Sequence, residues 1–322
     1  WRGEFFSHIP AHILRILSSS APDQTEVKLG QTKIVYLNHH ECHAASAFYN
    51  SPFRNSDILT IDGHGEKETC FFGYGKNTKI HKLFSIDYPH SVGLLYGTIT
   101  NFLGYRADSD EWKVMALASY SKNINRYDNL IKKLIIKTKI GFELNLSYFD
   151  FYNFDRRKYL FSKKFTQVFG QQRKKNQKLE KKHYEIAGAL QRNFEDLVFH
   201  LLGILKKKGK KSGNIVVAGG AAMNCVMNGK ILAKNLYKND YIPAYPDDSG
   251  VSIGALLLAN YKFNNSKFRK LSEETKAYYG PEYSNNEIKK ILIKNKLNFK
   301  KYDQKRLNEY ISSQIYENKI IG

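Results

Sequence analysis

The chain has 322 residues, 42% of them apolar and 14% aromatic, enough to bury a sizeable core and to exclude wholesale disorder. Its 51 Lys+Arg against 30 Asp+Glu leave a formal charge of +21, which suits a polyanionic partner, although scattered lysines are what a lysine-rich composition alone would produce. Three widely spaced cysteines, Cys42, Cys70 and Cys225, exclude a disulfide framework, and no apolar run approaches the roughly 18 residues of a membrane span, so a cytoplasmic protein without membrane contact is expected.

The first residue is Trp1 and no signal-peptide pattern comes after it, so the chain is expected to be a piece of something longer. Residues 5–18 predict an amphipathic helix and residues 19–32 a polar linker. Ile34-Val-Tyr-Leu37 predicts a strand that ends in His39-His-Glu-Cys-His43, followed by the small residues Ala44, Ala45, Ser46 and Ala47. In a helix starting near His39, His39 and His43 stand at i and i+4, with Cβ atoms about 6 Å apart. Two imidazoles so placed can grip one divalent metal; alternatively, one caps the helix and the other is a satisfied polar residue.

Ile58-Leu-Thr-Ile61 predicts a second strand running into Asp62-Gly-His-Gly-Glu66, where Gly63 and Gly65 let backbone approach a ligand, or simply make a tight turn. Phe71–Tyr74 and Lys79–Ile86 predict antiparallel strands, residues 89–105 a loop entering a buried helix, and Ser109–Ala118 an apolar helix whose Glu111 and Lys113 fit a solvated start. Residues 122–182, with Arg156-Arg-Lys158 and Arg173-Lys-Lys175, predict a basic insertion with a solvated surface rather than a nucleic-acid patch. A helix over 183–207 leads to strand Ile215–Ala218, then Gly219-Gly220 and a helix from about Ala222. Strand, diglycine, helix is a device for approaching phosphate, or a close packing corner; Asn224 reaches a ligand or faces that corner. On the first reading, Gly219→Val abolishes nucleotide binding and leaves the fold largely intact. At a third corner, Asp247 and Asp248 sit between strand and helix, as ligands or N-caps. Three such corners point to one shared cleft. Ser284-Asn-Asn-Glu287 is a capping box; a helix near Arg306–Tyr316 and a strand at Ile320-Ile321 complete the expectations.

Taken together, His39–Tyr49, Ile61–Glu66, Pro89–Tyr96, Glu111–Met115, Ala218–Asn224, Asp248–Ala255 and Gly280–Ser284 resemble the O-carbamoyltransferase family, which includes the nodulation-factor, tobramycin and cephamycin carbamoyltransferases. The match covers most of residues 33–322. The resemblance implies an α/β fold of the ribonuclease-H-like actin and sugar-kinase type, two halves around a nucleotide cleft, and two domains here: residues 1–275, and 276–322 as the start of a second domain. It implies that carbamoyl phosphate and ATP give a carbamoyl-adenylate whose carbamoyl group passes to a hydroxyl of a sugar or other small metabolite. It further implies a divalent metal, Fe2+ or Zn2+, held by His39, His43, Asp62 and Asp248. A nucleotide or carbamoyl-adenylate site would draw on Gly63, Gly65, Glu66, His90, Ser91, Glu111, Lys113, Gly219, Gly220 and Asn224. The family's general base is expected in a hairpin preceding Trp1, so the piece alone is expected to be inactive. The chain departs from the family at His64 and at Ala116–Ser121. The rival readings are a tRNA threonylcarbamoyl-transfer protein, which the charge would suit, and a non-catalytic nucleotide-binding module.

Overall fold

The computed structural model describes residues 26–29, 32–153, 159–210, 212–263 and 281–322. The amphipathic helix expected over 5–18 and the cations Arg156–Lys158 lie outside them. The chain divides into two compact units, Trp1–Thr275 and Lys276–Gly322.

The first unit opens with a hairpin, β1 (Glu26–Leu29) and β2 (Thr32–Val35), so strand pairing begins inside the stretch expected to be a polar linker. The strand expected over Ile34–Leu37 thus ends at Val35, and three residues outside any strand lead to α1 (His39–Asn50), whose first turn is capped by the Asn38 side chain accepting from the Glu41 N–H. Next come β3 (Asn55–Ile61), β4 (Glu68–Lys76) and β5 (Lys79–Asp87), an antiparallel run. Ser91 caps α2 (Val92–Phe102), the expected buried helix, and α3 (Glu111–Ala118) comes after it.

Residues 122–182 are more deeply engaged than a solvated insertion. They form α4 (Asn125–Lys132), the hairpin β6 (Ile135–Thr138) and β7 (Gly141–Leu144), and α5 (Lys163–Phe169). Their aromatics Phe142, Phe149, Phe161, Phe165 and Phe169 belong to the main core. The physical reason is composition: this stretch alternates cations with large rings, and the rings seek burial while most cations stay in water. Arg173 is the buried exception, its guanidinium donating to the carbonyls of Leu103, Lys175 and Gln177.

The long helix α6 (Lys181–Lys208) spans the core with Ile186, Leu190, Phe194, Leu197, Leu201 and Leu205 buried at helical spacing. It returns the chain to β8 (Asn214–Ala218), a short helix α7 (Cys225–Asn228), β9 (Asn239–Tyr241) and finally α8 (Val251–Phe263). The main sheet has the order β5-β4-β3-β8-β9, with β3, β8 and β9 parallel. A second sheet of that size does not occur among the described residues. Helix α1 and helix α8 pack against each other closely because position 254 is glycine: a Cβ there would collide with the Cys42 carbonyl.

Strand register and one backbone contact together position the corners after β3 and β8. Pairing Thr60 with Ala218 makes β3 and β8 end side by side, so Asp62 and Gly219-Gly220 leave the sheet at the same edge. Gly219 has φ +92°, and a Cβ on it would sit inside the contact shell of the Ile61 carbonyl.

In the second unit, α9 (Asn285–Lys294) begins with the expected Ser284/Glu287 capping box. Helix α10 (Gln304–Tyr316) is capped by Asp303 and starts two residues ahead of the expected Arg306. Ile320-Ile321 form no strand. No helix among the described residues is long and apolar enough to cross a membrane.

The Gly219 geometry corrects the expectation that its replacement spares the fold. Gly219→Ala combines left-handed strain with overpacking against β3 and should cost about 2–6 kcal/mol of stability. Gly219→Val should cost more. Thermal melts followed by circular dichroism check this; an unchanged melting temperature would refute it.

Candidate metal and ligand site

The site is built at the sheet edge where β3 and β8 end. Asp62, the residue after β3, is turned by its neighbours. Its Oδ1 accepts the backbone N–H of Gly63 at 2.8 Å and of Gly220 at 3.0 Å. Its Oδ2 is thereby directed at two imidazoles, 3.0 Å from His39 Nε2 and 3.2 Å from His43 Nε2. Those rings stand one turn apart on α1, as the i, i+4 spacing predicts, with their Nε2 atoms 3.1 Å apart. Asp248, in the turn before α8, completes the group at 3.4 Å from His39 and 3.3 Å from His43.

The electrostatics of these four groups are mutual. Burial opposes charge on His39, but hydrogen bonds to Asp248 and Asp62 outweigh it and push its pKa up to about 10. His43 is raised in the same way. Burial also works against the Asp62 charge, yet His39, His43 and the Gly63 amide hold its carboxyl well below the usual range. Asp248 is held low chiefly by hydrogen bonds to the two histidines. His43 Nδ1 is buried without a hydrogen-bond partner among the described residues, so only the groups around Nε2 decide which nitrogen faces them.

The donor set fits a divalent cation. All four ligand atoms lie within 4.8 Å of one another. Donors about 2.1 Å from one ion are separated by roughly 3.0–3.4 Å at octahedral to tetrahedral angles, and the histidine–histidine and histidine–carboxylate separations here run from 3.0 to 3.4 Å. Two imidazoles with two carboxylates suit iron and zinc alike.

A third histidine, His40, supports the cluster from beneath. It is fully buried, with Nδ1 2.5 Å from Thr60 Oγ1 and Nε2 2.9 Å from the Glu68 carbonyl, and burial pushes its pKa down to about 4. It pins the start of α1 to β3 and β4. The sequence carries a signal for it, since His40 lies inside the histidine cluster, but periodicity alone does not say which ring faces the core.

Asp62 and Asp248 open onto a cavity of about 630 Å³. Of the other expected ligand residues, Gly63, Glu111, Gly220 and Asn224 line it. Burial pushes the Glu111 carboxyl up, while its Oε1 accepts the Asp108 N–H. Asn224 is bound into a reciprocal amide pair with Gln191 and caps α7 through Met227 N–H.

Six expected residues are not in the lining. Glu66 accepts from Tyr36, from Asn38 and from the His39 N–H, anchoring the start of α1. Gly65 lies against the rings of His39 and His40, where a Cβ would crowd them. Ser91 caps α2 and donates to the Asp62 carbonyl. His90 accepts the Leu144 N–H. Lys113 pairs with Asp110 at 2.8 Å. Gly219 is committed to backbone packing. Among the lining residues that sequence reasoning does not name as ligands are Asp108, Met223, Trp112, which sits between Glu111 and Lys113, and His64, which it marks only as a departure from the family.

A family model described as "Carbamoyltransferase N-terminus" matches residues 9–257. An uncharacterized protein of Synechocystis sp. is 34% identical over 265 residues, covering 80% of this chain and 42% of the relative. The nodulation protein NolNO of Sinorhizobium fredii is 28% identical over 276 residues, covering 85% and 38%. The nodulation protein NolO of Bradyrhizobium diazoefficiens is 30% identical over 256 residues, covering 79% and 43%. The chain thus spans about two-fifths of the length of these curated relatives.

Asp62→Asn provides a selective test of the cluster. The asparagine oxygen can still accept from Gly63 and Gly220, but its amide nitrogen then faces the two histidines and cannot ligate a cation. Metal content by elemental analysis should fall at least about tenfold, as it should in His39→Ala/His43→Ala, while the circular dichroism spectrum stays as in the parent. Parental metal content in either variant would rule out the cluster as a metal site.

Proposed function

The chain belongs to the carbamoyltransferase family, and from that membership we propose that it carries the metal and nucleotide part of an O-carbamoyltransferase. In this reading carbamoyl phosphate loses phosphate to give carbamate, the carbamate oxygen attacks the α-phosphorus of ATP with pyrophosphate leaving, and a hydroxyl of a sugar or other small metabolite then attacks the carbamoyl carbon of the resulting carbamoyl-adenylate, losing its proton as AMP leaves. We further read the mixed sheet β5-β4-β3-β8-β9 as one ribonuclease-H-like half of an actin-type fold. The order of three antiparallel strands followed by two parallel ones supports it.

The observation that carries the reading is convergence. His39, His43, Asp62 and Asp248 come from three separate corners and meet beside the cavity that also takes Gly220 and Glu111. A divalent metal there would supply Lewis-acid polarisation of the carbamoyl carbonyl. The protein's own residues do the positioning. Gly63 and Gly220 orient the Asp62 carboxylate, and His40 fixes the helix that presents His39 and His43. Gly63, which has open space where a Cβ would stand, leaves the cavity side of Asp62 accessible to a ligand.

The test uses the complete protein with radiolabelled carbamoyl phosphate, ATP and a panel of sugar and small-metabolite hydroxyl acceptors. ATP-dependent transfer of label into one acceptor is expected, and Asp62→Asn should lower it at least about a hundredfold. ATP binding without any carbamoyl-phosphate-dependent exchange would favour a nucleotide-binding module instead. A salt-sensitive complex with tRNA, together with threonylcarbamoyl transfer, would favour the tRNA-modifying reading.

A further inference from the structure

The end of the main sheet away from the metal cluster carries a second cavity, of about 450 Å³. Its walls include Asn55 and Ser56 from the start of β3, Tyr74 and Lys76 from the end of β4, and Lys210 and Ser212 from the loop between α6 and β8. β3 has seven residues, so about 20 Å of strand separates this cavity from Asp62.

Hydrogen bonds fasten the loop that forms one wall. The buried Asp57 carboxylate accepts the Lys210 N–H and the Tyr237 O–H, both at 3.2 Å. Farther along, Ser212 Oγ donates to the Asn214 carbonyl, and Asn214 Nδ2 donates to the Asn55 carbonyl at 2.9 Å. Lys210 is thus held at its backbone, and its Nζ stands 5.2 Å from the centroid of the Tyr74 ring. A ring face steadies an ammonium without neutralising it.

The charge here is the reverse of that in the carboxylate-lined cavity at the other end of the sheet. Strand register sets Lys76 opposite both Asn55 and Lys79, and Arg54 directly precedes Asn55. Lys208 lies over the Phe84 ring, 4.7 Å from its centroid. None of Arg54, Lys76, Lys79, Lys208 and Lys210 has an ion-pair partner among the described residues. No carboxylate lines the cavity among them either, and Asp57 beneath it is occupied by its two donors. Unpaired cations around a concavity concentrate anions there. A lysine ammonium is a point-charge partner for phosphate oxygens, and the Asn55 amide and Tyr74 hydroxyl can add neutral donors. The volume lies in the range of small-ligand pockets.

We propose that this cavity binds a phosphate group, free or carried by a small monoester, with Lys76 and Lys210 as its countercharges. The site is separate from the metal cluster and independent of the carbamoyl-transfer reading.

Pyridoxal phosphate can locate it. The phosphate docks, and the aldehyde condenses with a lysine amine, losing water, to an imine that borohydride reduces. In the complete protein, peptide mapping should find Lys76 or Lys210 labelled ahead of the other exposed lysines. Inorganic phosphate and glycerol phosphate should suppress that labelling, whereas sodium chloride at equal ionic strength should not. The concentration at which each protects distinguishes free phosphate from a monoester as the preferred ligand. By calorimetry, Lys76→Gln/Lys210→Gln should weaken binding of the better of the two at least about tenfold, with metal content and the melting temperature without ligand as in the parent. Labelling spread evenly over surface lysines, protection by salt alone, or parental affinity in the double variant would each overturn the proposal. So would single-stranded RNA binding that the double variant abolishes, in a protein indifferent to both small phosphates; the cations would then serve an open polyanion surface.

Discussion

The structure turns on the two faces of one carboxylate. Asp62 comes directly after β3, and its Oδ1 is held by two backbone amides, one from its own corner and one from the corner after β8. A carboxylate accepting N–H groups on one oxygen is fixed in rotation, and its second oxygen then points wherever the backbone dictates. Here it points at His39 and His43. Everything that sets those two amides in place, from the β3–β8 register to the absent side chain of Gly220, is part of the site without touching a ligand. The parallel pairing of β3 with β8 is therefore the device that makes the ligand geometry, and the core beneath it, with Leu59, Ile61, Ile215 and Val217 buried, is what keeps the register from slipping.

Net charge and local charge diverge in this protein. The chain as a whole is strongly basic, yet the cavity is lined by carboxylates and the histidines His39 and His43 lean on them. The excess cations sit elsewhere, many on exposed surface such as the lysines closing α6, where they also complement the negative end of a helix dipole. A divalent cation held by these four donors would be recruited by ligand geometry and not by the field of the whole protein, which would repel it. The basic composition is thus compatible with the metal reading without contributing to it.

Much of this is legible in the sequence, and the exceptions have physical causes. The histidine pair, the Ser284 capping box and the antiparallel strands reflect short-range periods, and the helix starting at His39 presents His39 and His43 as the spacing requires. The four clustered residues can be grouped from sequence only through family resemblance, because convergence of residues 39, 62 and 248 depends on sheet order and crossover. The pairing of β1 with β2 escapes a sequence reading of 19–32 because each strand has only four residues, too few to establish the apolar alternation that marks a half-buried strand. The aromatics of 142–169 read as part of a solvated insertion because neighbouring cations mask them. Trp112 is inconspicuous for a similar reason: it lies between charged residues on a helix start, and nothing in spacing tells an exposed tryptophan from a buried one.

The diglycine after β8 shows most clearly where sequence reasoning stops. A strand, two glycines and a helix have the same appearance whether the cleared space admits phosphate or backbone, because the requirement is steric in both cases. In this fold the first glycine admits the Ile61 carbonyl and the second delivers its N–H to Asp62. The next helix has only four residues and begins after an intervening turn, so it offers little dipole to an anion. The diglycine here serves backbone packing at its first position and the orientation of the Asp62 carboxylate at its second.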